Sequence, residues 1–227
     1  VIGKKWTNAD KLILTEEGGN QVPAQFSPSD EGTEVLWISE RTKPLETMKL
    51  LIVEGTVDAH GMRPLSVESG QEQTKVFRGD DLILSCFHSN AFSKPFLFPL
   101  NGPTGVPVTW NAPPDHPHHR SLWVAHGDVN GFDVWSETEN HGTISTLRIS
   151  NISGGPICSE IRLSLIWKNA LGKELLDEER IIRLWNVSDR QWLIDHDSVF
   201  SARYSDVLLG DTKEAGTLSV RVRESME

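Results

Sequence analysis

The chain has 227 residues, enough for one large domain or two small ones around a buried core. It carries 22 basic and 32 acidic residues, and the net charge of −10 excludes a surface that attracts nucleic acid phosphates or anionic membranes. No apolar run approaches the ~20 residues of a membrane-spanning helix, so we expect a soluble protein with neither a nucleic acid nor a membrane as partner. The sequence does not determine the cellular compartment, because an export signal is either absent or already removed ahead of Val1.

Short segments rich in β-branched and aromatic residues recur between turn signals along the chain. Eight of them are predicted strands: 35–39, 49–57, 82–88, 143–150, 160–167, 179–185, 191–200 and 217–223. No window of adequate length keeps apolar residues at helical spacing, so we expect low helix content. The rhythm predicts an all-β fold with a large antiparallel β-sandwich.

Apolar and polar residues alternate in two of these segments, 160–167 and 217–223, which predicts half-buried strands. The turn sequence at 169–172 is typical of a hairpin connection. We expect an N-terminal accessory β layer over residues 1–70 and a main sandwich over residues 71–227.

Two cysteines, Cys86 and Cys158, stand far apart and form no C-x-x-C motif. The spacing therefore suggests neither a zinc site nor a redox site. We expect two buried thiols. The two cysteines could form one disulfide only if the protein is exported.

The stretch 94–131 interrupts the strand rhythm with seven prolines and four glycines. This density prevents long strand ladders and predicts a rigid, folded loop, the part of a β scaffold where sites are usually built. The segment 115–135, DHPHHRSLWVAHGDVNGFDVW, overlaps this loop and holds four of the eight histidines. We call it the His-rich loop.

Three interpretations of the His-rich loop stay open. Imidazole titrates near neutrality, and a neighbouring carboxylate can fix its tautomer for acid/base catalysis. His116 and His118, with His126, could instead provide ligands for a divalent metal. The third interpretation is structural, with histidines that bind the backbone of a proline-stiffened loop. We favour a functional role for the cluster as a whole.

Outside the loop, Glu178 lies two residues from Arg180 in a strand-like segment, so both side chains can face one site. Lys213 and Arg221 follow a Gly-Asp turn and could hold an anionic or hydroxyl-rich ligand. Solvated surface charges explain these residues equally well.

Four motifs resemble a bacterial PmoA-like family, which is labelled methane oxygenase PmoA or a domain of unknown function. They are KPFLFPLNGPTGVPVT, DHPHHRSLWVAHGDVNGFDVWSE, LLDEER and GDTKEAGTLSVRV. The loop positions that match the family are His116, His118, His119, Arg120, His126, Gly127, Asp128, Asn130, Gly131 and Trp135, and its weaker later blocks contain Glu178, Lys213 and Arg221.

We exclude methane oxidation, because the enzyme subunit of that name is an integral membrane protein and this sequence has no membrane-spanning segment. The family continues past Glu227 with a further Trp-containing block, so a fragment would lack part of the sandwich.

This family is remotely similar to the galactose mutarotase and aldose epimerase superfamily. That resemblance implies a supersandwich that binds a sugar in a concave face lined by His, Asp, Glu, Arg and Trp. In the superfamily a histidine acts as general acid and a glutamate from a late strand acts as base. Only the histidine role carries over, onto His116, His118 or His126, and we add Glu178 as the candidate carboxylate.

We therefore expect a carbohydrate-active protein, an enzyme that transfers protons on a small sugar or glycoside as an isomerase, lyase or hydrolase. The candidate substrate-binding residues are His119, Arg120, Trp123, Asp128, Asn130, Trp135, Lys213 and Arg221. Aromatic faces suit the C–H surface of a pyranose, and polar side chains suit its hydroxyls. One alternative is a non-catalytic carbohydrate-binding module. Another is a metal-dependent enzyme that uses His116, His118 and His126; otherwise no cofactor is predicted.

Overall fold

The computed structural model describes residue 6 and residues 9–39, 47–56, 63–213 and 217–226. Within these residues fifteen strands lie between two single-turn 3-10 helices, Ala9–Lys11 and Glu224–Met226. The strands are β1 (Leu12–Glu16), β2 (Gln21–Val22), β3 (Ala24–Ser29), β4 (Gly32–Trp37), β5 (Leu50–Glu54), β6 (Leu65–Ser69), β7 (Gln73–Arg78), β8 (Asp81–Phe87), β9 (Phe96–Leu100), β10 (Leu122–Val124), β11 (Thr143–Ser153), β12 (Cys158–Lys168), β13 (Glu174–Ser188), β14 (Gln191–Ser201) and β15 (Leu218–Val220). The predicted all-β fold with low helix content is confirmed. None of the helices in the described residues has the length and apolar character needed to cross a membrane.

Two antiparallel sheets form the body of the protein. The larger has six strands in the order β15-β10-β9-β8-β7-β6, and the other has four in the order β11-β12-β13-β14. Two smaller sheets, β2-β1-β5 and β3-β4, come from the N-terminal part of the chain. The two larger sheets form the predicted antiparallel sandwich.

One hydrophobic core lies between the two larger sheets. Leu84 and Trp123 enter it from the six-stranded sheet, and Leu163 and Leu165 enter it from the four-stranded sheet. The alternation predicted for 160–167 is confirmed, because all four apolar residues on that face are at most 1% exposed. Burial of such side chains contributes about 1.5–3 kcal/mol each, which makes this core the main source of stability.

The second alternating segment behaves differently from the prediction. Leu218 and Val220 in β15 are 46% and 52% exposed, so this face of the strand is not half-buried. β15 is the end strand of the six-stranded sheet, where it pairs with β10. Alternation in the sequence identified the strand but not whether a second layer covers it.

The hairpin between β12 and β13 forms where the turn sequence predicted it. Asn169 Oδ1 accepts hydrogen bonds from the backbone nitrogens of Leu171 and Lys173, at 3.0 and 2.9 Å. Gly172 has a positive φ of 79°, a conformation that glycine adopts without steric cost. These contacts fix the turn that connects two long neighbouring strands of the core.

The N-terminal sheets are attached to the sandwich by specific contacts. Gln25 Oε1, in β3, accepts hydrogen bonds from the backbone nitrogens of Ile157 and Cys158, at 3.3 and 3.0 Å. The expected boundary at residue 70 lies in the turn between β6 and β7, which pair with each other in the six-stranded sheet. The division into 1–70 and 71–227 stays a prediction.

Cys86 and Cys158 are free thiols, and both are buried. Burial raises the pKa of each thiol to about 12, which keeps both neutral. The prediction of two buried thiols is confirmed.

Candidate functional site

The His-rich loop folds as a series of tight turns around one short strand, β10. The backbone nitrogen of His119 donates to the carbonyl of His116 at 3.0 Å, and the nitrogen of Ala112 donates to the carbonyl of His119 at 2.8 Å. Ala112 and Asn130 both have positive φ, at 51° and 55°. Closed turns of this kind hold several imidazoles close together, which regular strands would separate.

Four rings of the loop form a continuous stack from the surface to the core. His116 stacks on His119 with 4.6 Å between ring centroids, and His119 stacks on Trp123 at 5.1 Å. Trp135 packs against Trp123 at 5.2 Å, and His118 meets the ring of His119 edge-on at 4.8 Å. Trp123 and Trp135 are only 2% and 6% exposed. The stack therefore presents histidines, rather than tryptophans, to solvent.

His119 is neutral at physiological pH. Burial is the largest cause that lowers its pKa to about 4, and the electrostatic effects of the neighbouring His118 and His116 imidazoles lower it further. Within the described part of the chain, the buried Nδ1 of His119 has no hydrogen-bond partner, and neither do the Nε1 atoms of Trp123 and Trp135. His119 thus serves as a neutral ring between the outer histidines and the tryptophans.

Asp115, His116 and Arg221 form a hydrogen-bonded network at the outer end of the stack. Asp115 Oδ2 accepts from His116 Nδ1 and from Arg221 Nη2, each at 2.8 Å. The side chains of Asp115 and His116 are 50% and 49% exposed. The hydrogen bond from His116, and then the charge of Arg221, lower the pKa of Asp115 and keep it ionised. This network is the most accessible group of titratable side chains in the loop.

Arg120 is held inside the loop by an ion-pair triad of Arg120, Glu137 and Lys94. Its Nε donates to Glu137 Oε1 at 2.8 Å, and its Nη2 donates to the other carboxylate oxygen. Lys94, only 1% exposed, pairs with Glu137 at 3.1 Å and donates to the carbonyl of Trp135 at 2.6 Å. Burial lowers the pKa of Lys94. Burial alone would raise the pKa of Glu137, but its two cationic partners outweigh it and lower that pKa.

His126, Asp128 and Asn130 bind a neighbouring backbone segment, residues 206–210. His126 Nε2 donates to the carbonyl of Gly210 at 3.1 Å. Asn130 Oδ1 accepts from the nitrogen of Leu208 at 2.7 Å, and its Nδ2 donates to the carbonyl of Asp206 at 3.0 Å. A Cβ at position 210 would overlap the carboxylate of Asp128, so this close approach requires glycine. The side chains of His126 and Asn130, and the backbone carbonyl of Asp128, which accepts from the nitrogen of Gly210 at 2.9 Å, join the His-rich loop to residues 206–210.

Glu178 lies in the core, in a different group from the histidines. Arg180 pairs with both of its carboxylate oxygens, at 2.7 and 3.0 Å. Trp167 Nε1 and Ser198 Oγ also donate to it, at 2.8 and 2.7 Å. Glu178 is fully buried, and the Arg180 charge overcomes the effect of burial to lower its pKa. Its carboxylate is therefore ionised and fully hydrogen-bonded within the sandwich.

The structure thus brings part of the predicted site together and separates the rest. His116, His118, His119, Trp123, Trp135 and Arg221 belong to one assembly, Arg120 belongs to the buried triad, and Glu178 belongs to the core. Lys213 is exposed on the segment that follows Gly210. Among the residues that the structure describes, no three His, Cys, Asp or Glu side chains are placed to share a metal ion. The alternative metal set of His116, His118 and His126 receives no geometric support from that arrangement.

A cleft of about 560 Å³ opens beside the Asp115–His116–Arg221 network. It is lined by Phe98, Thr109, Trp110, Asn111, Arg223 and Glu224, among others, and by none of the loop histidines. The backbone nitrogen of Trp110 donates to the carbonyl of Arg221 at 2.8 Å, so one residue that lines the cleft is hydrogen-bonded to one residue of the network.

Sequence reasoning missed several residues that determine this geometry. Lys94, Glu137 and Trp110 were not predicted, although Glu137 ends the family-like motif of the loop. Arg120 and Glu137 are 17 residues apart in the sequence and Lys94 lies still further away, so no local pattern indicates the triad. Lys94 and Glu137 stand at the ends of two family-like motifs, and Trp110 is an aromatic residue within the proline-rich stretch.

Comparison with known proteins gives one match. The profile of a family of unknown function, DUF6807, matches residues 75–227, a range that contains the His-rich loop and the four-stranded sheet. The chain belongs to the DUF6807 family. No curated protein and no solved structure matches significantly. For this DUF6807 protein, function must therefore be argued from the geometry of its own residues.

Proposed function

We propose that this DUF6807 protein is a carbohydrate-active enzyme that transfers a proton on a small sugar or glycoside, as an isomerase, lyase or hydrolase. The observation that carries the proposal is the Asp115–His116–Arg221 network. It combines an accessible imidazole with a carboxylate that orients it, the arrangement that acid/base catalysis requires.

The hydrogen bond to Asp115 determines which nitrogen of His116 can react. A carboxylate only accepts hydrogen bonds, so the Nδ1 of His116 carries a proton. The Nε2 is then the basic atom of the neutral ring. When Nε2 takes a proton from a substrate, the negative charge of Asp115 stabilises the imidazolium that forms.

The remaining predicted residues divide between contact with substrate and support. His118, Arg221 and the exposed Lys213 are the candidates for contact with a sugar near His116. Trp123 and Trp135 are buried beneath His119, so in this conformation they support the histidine stack rather than a sugar ring. Arg120, His126, Asp128 and Asn130 support the loop, and Glu178 supports the core.

The resemblance to PmoA-like proteins and to galactose mutarotases, which is more specific than the all-β fold class, remains part of this proposal. An antiparallel β-sandwich with a histidine-bearing loop is compatible with that superfamily's use of a histidine as general acid. Fold and layout alone do not establish an activity, so the proposal depends on the network and not on the likeness.

A non-catalytic carbohydrate-binding module is the second candidate function. The observation that favours it is that several polar side chains, such as Arg120, His126 and Glu178, already form hydrogen bonds within the protein. A binding module would retain sugar affinity and show no turnover.

The test is a panel of mono- and disaccharides and their oxidised forms, measured first by thermal shift and then by NMR for chemical turnover. Zinc, copper and calcium are added in parallel. We expect His116→Gln to reduce turnover by about 100-fold or more while sugar affinity is retained, because glutamine can still donate a hydrogen bond but cannot take up the proton. His141→Gln is the matched control, because His141 lies outside the stack and is bound by Ser93 Oγ at 2.9 Å.

Equal turnover in His116→Gln and the wild type would exclude His116 as the proton-transfer group. Binding without turnover for every sugar would favour the binding module. A response that requires a metal ion would favour the metal-dependent enzyme instead.

A further inference from the structure

The cleft beside the network has the size and composition of a ligand site. Its volume of about 560 Å³ lies within the range of small-molecule pockets, roughly 300–1,000 Å³. Phe98 and Trp110 provide aromatic surface, and Asn111, Arg223 and Glu224 provide polar groups around it. Aromatic surface with a few polar groups is the usual composition of a site that orients a small ligand.

The position of Trp110 connects this cleft to the candidate proton-transfer group. Thr109 and Val222 form an antiparallel bridge, and the backbone nitrogen of Trp110 donates to the carbonyl of Arg221 at 2.8 Å. Trp110 is thus next to Arg221, which is hydrogen-bonded to Asp115, the partner of His116.

Two observations indicate which ligand chemistry the cleft suits. Asn111 lines the cleft, and its buried side-chain oxygen makes no hydrogen bond to any residue that the structure describes, so the wall of the cleft contains an acceptor that the described protein does not use. Arg223 and Glu224 line the same cleft with opposite charges, which does not favour a charged ligand of either sign. A ring with apolar C–H faces and neutral hydroxyls matches this combination.

We infer that this cleft binds the ring of a neutral pyranose, with Trp110 as the stacking platform and Asn111 as a hydroxyl acceptor. The inference rests on the proposed function for the class of ligand. It adds the binding residues, the preference for neutral over acidic sugars, and a location for the substrate next to Arg221.

The experiment measures binding of glucose, galactose, mannose, xylose, cellobiose, maltose and lactose to the whole chain by calorimetry and tryptophan fluorescence. Glucuronate, galacturonate and glucosamine are the charged comparisons. We expect Trp110→Ala to raise the Kd of the best neutral sugar about tenfold or more, as loss of a central aromatic contact does. Trp110→Phe keeps a ring, so binding should weaken less, while the fluorescence change caused by the sugar should disappear.

Trp37→Ala is the matched control, because Trp37 is a solvent-accessible tryptophan, 42% exposed, that lines a different cavity. Its sugar affinity should equal that of the wild type. Asn111→Ala provides a second variant, which should also weaken binding and does not depend on removal of a large side chain.

The outcomes separate this inference from the proposed function. Turnover that His116→Gln removes, together with unchanged sugar affinity in Trp110→Ala and Asn111→Ala, would overturn the inference and leave the function standing. Binding that depends on Trp110 without turnover of any sugar would support the inference and overturn the enzyme. Selective binding of the acidic sugars, or binding of none of the panel, would overturn the inference.

Discussion

Individual buried charges in this protein are stabilised by specific partners. Glu178 and Arg180 share one face of β13 and form a two-point ion pair, which Trp167 and Ser198 complete with further hydrogen bonds. A buried ion pair costs desolvation, so removal of one member leaves the other charged and unpaired. The role of Glu178 is therefore testable through stability.

We expect Glu178→Gln to lower the free energy of unfolding by about 3–5 kcal/mol, because Arg180 would then be a buried charge without its counter-ion. Chemical denaturation followed by circular dichroism measures this change. Glu179→Gln is the control, because Glu179 is exposed on the other face of β13 and its loss should cost at most about 1 kcal/mol. Equal stability of the two variants would contradict the assignment of Glu178 to the core.

At the scale of elements, the His-rich loop depends on residues outside its own sequence. Glu137, which follows Trp135, pairs with Arg120, and Lys94, which precedes β9, pairs with the same carboxylate. Elsewhere in the loop, His126 and Asn130 donate hydrogen bonds to backbone carbonyls of residues 206–210. The position of the histidine stack is thus determined by contacts between distant segments.

We expect Glu137→Gln to loosen the His-rich loop and to lower the free energy of unfolding by about 3 kcal/mol, because two cations would lose their shared carboxylate. Hydrogen exchange should accelerate in residues 111–137 and remain unchanged in β12 and β13. Glu139→Gln, an exposed neighbour two residues along, is the control and should leave exchange as in the wild type. Uniform acceleration across the sandwich would count against a local role for Glu137.

At the scale of the whole molecule, the two larger sheets share one core, and burial there changes the response to pH. His196 in β14 is the clearest case. Burial, and then the charge of Arg180, lower its pKa to about 4. An unfolded histidine has a pKa of about 6.5, so between these values the unfolded chain binds a proton that the folded protein does not. The contribution of His196 to stability is therefore fully present above pH 6.5 and is lost as the pH falls toward 4.

We expect His196→Gln to lose less stability than the wild type between pH 6.5 and about 4, because glutamine has no proton to take up in the unfolded state. Urea unfolding at a series of pH values measures the difference. Above about pH 7 the two stability curves should run parallel, since histidine is mostly neutral there in both states. Parallel curves through the acid range would show that His196 does not titrate as expected.

The strands of the second half were predictable because their pattern is local. Segments 143–150, 160–167, 179–185 and 191–200 are rich in β-branched and aromatic residues between turn signals, and each lies within an observed strand. β3 and β9 were missed, because Pro28 and Pro99 occur inside them and proline normally argues against a strand.

The sequence by itself determined the all-β class, the hairpin at 169–172 and the concentration of histidines in one loop, since each depends on neighbours along the chain. Only the tertiary structure decided which of those histidines remain accessible, because exposure depends on what packs against the loop. Arg221 reaches Asp115 from more than a hundred residues away, and Glu137 neutralises two cations that no sequence pattern links to it. Long-range packing thus assigned His116 to the surface, Glu178 to the core and Trp110 to the cleft.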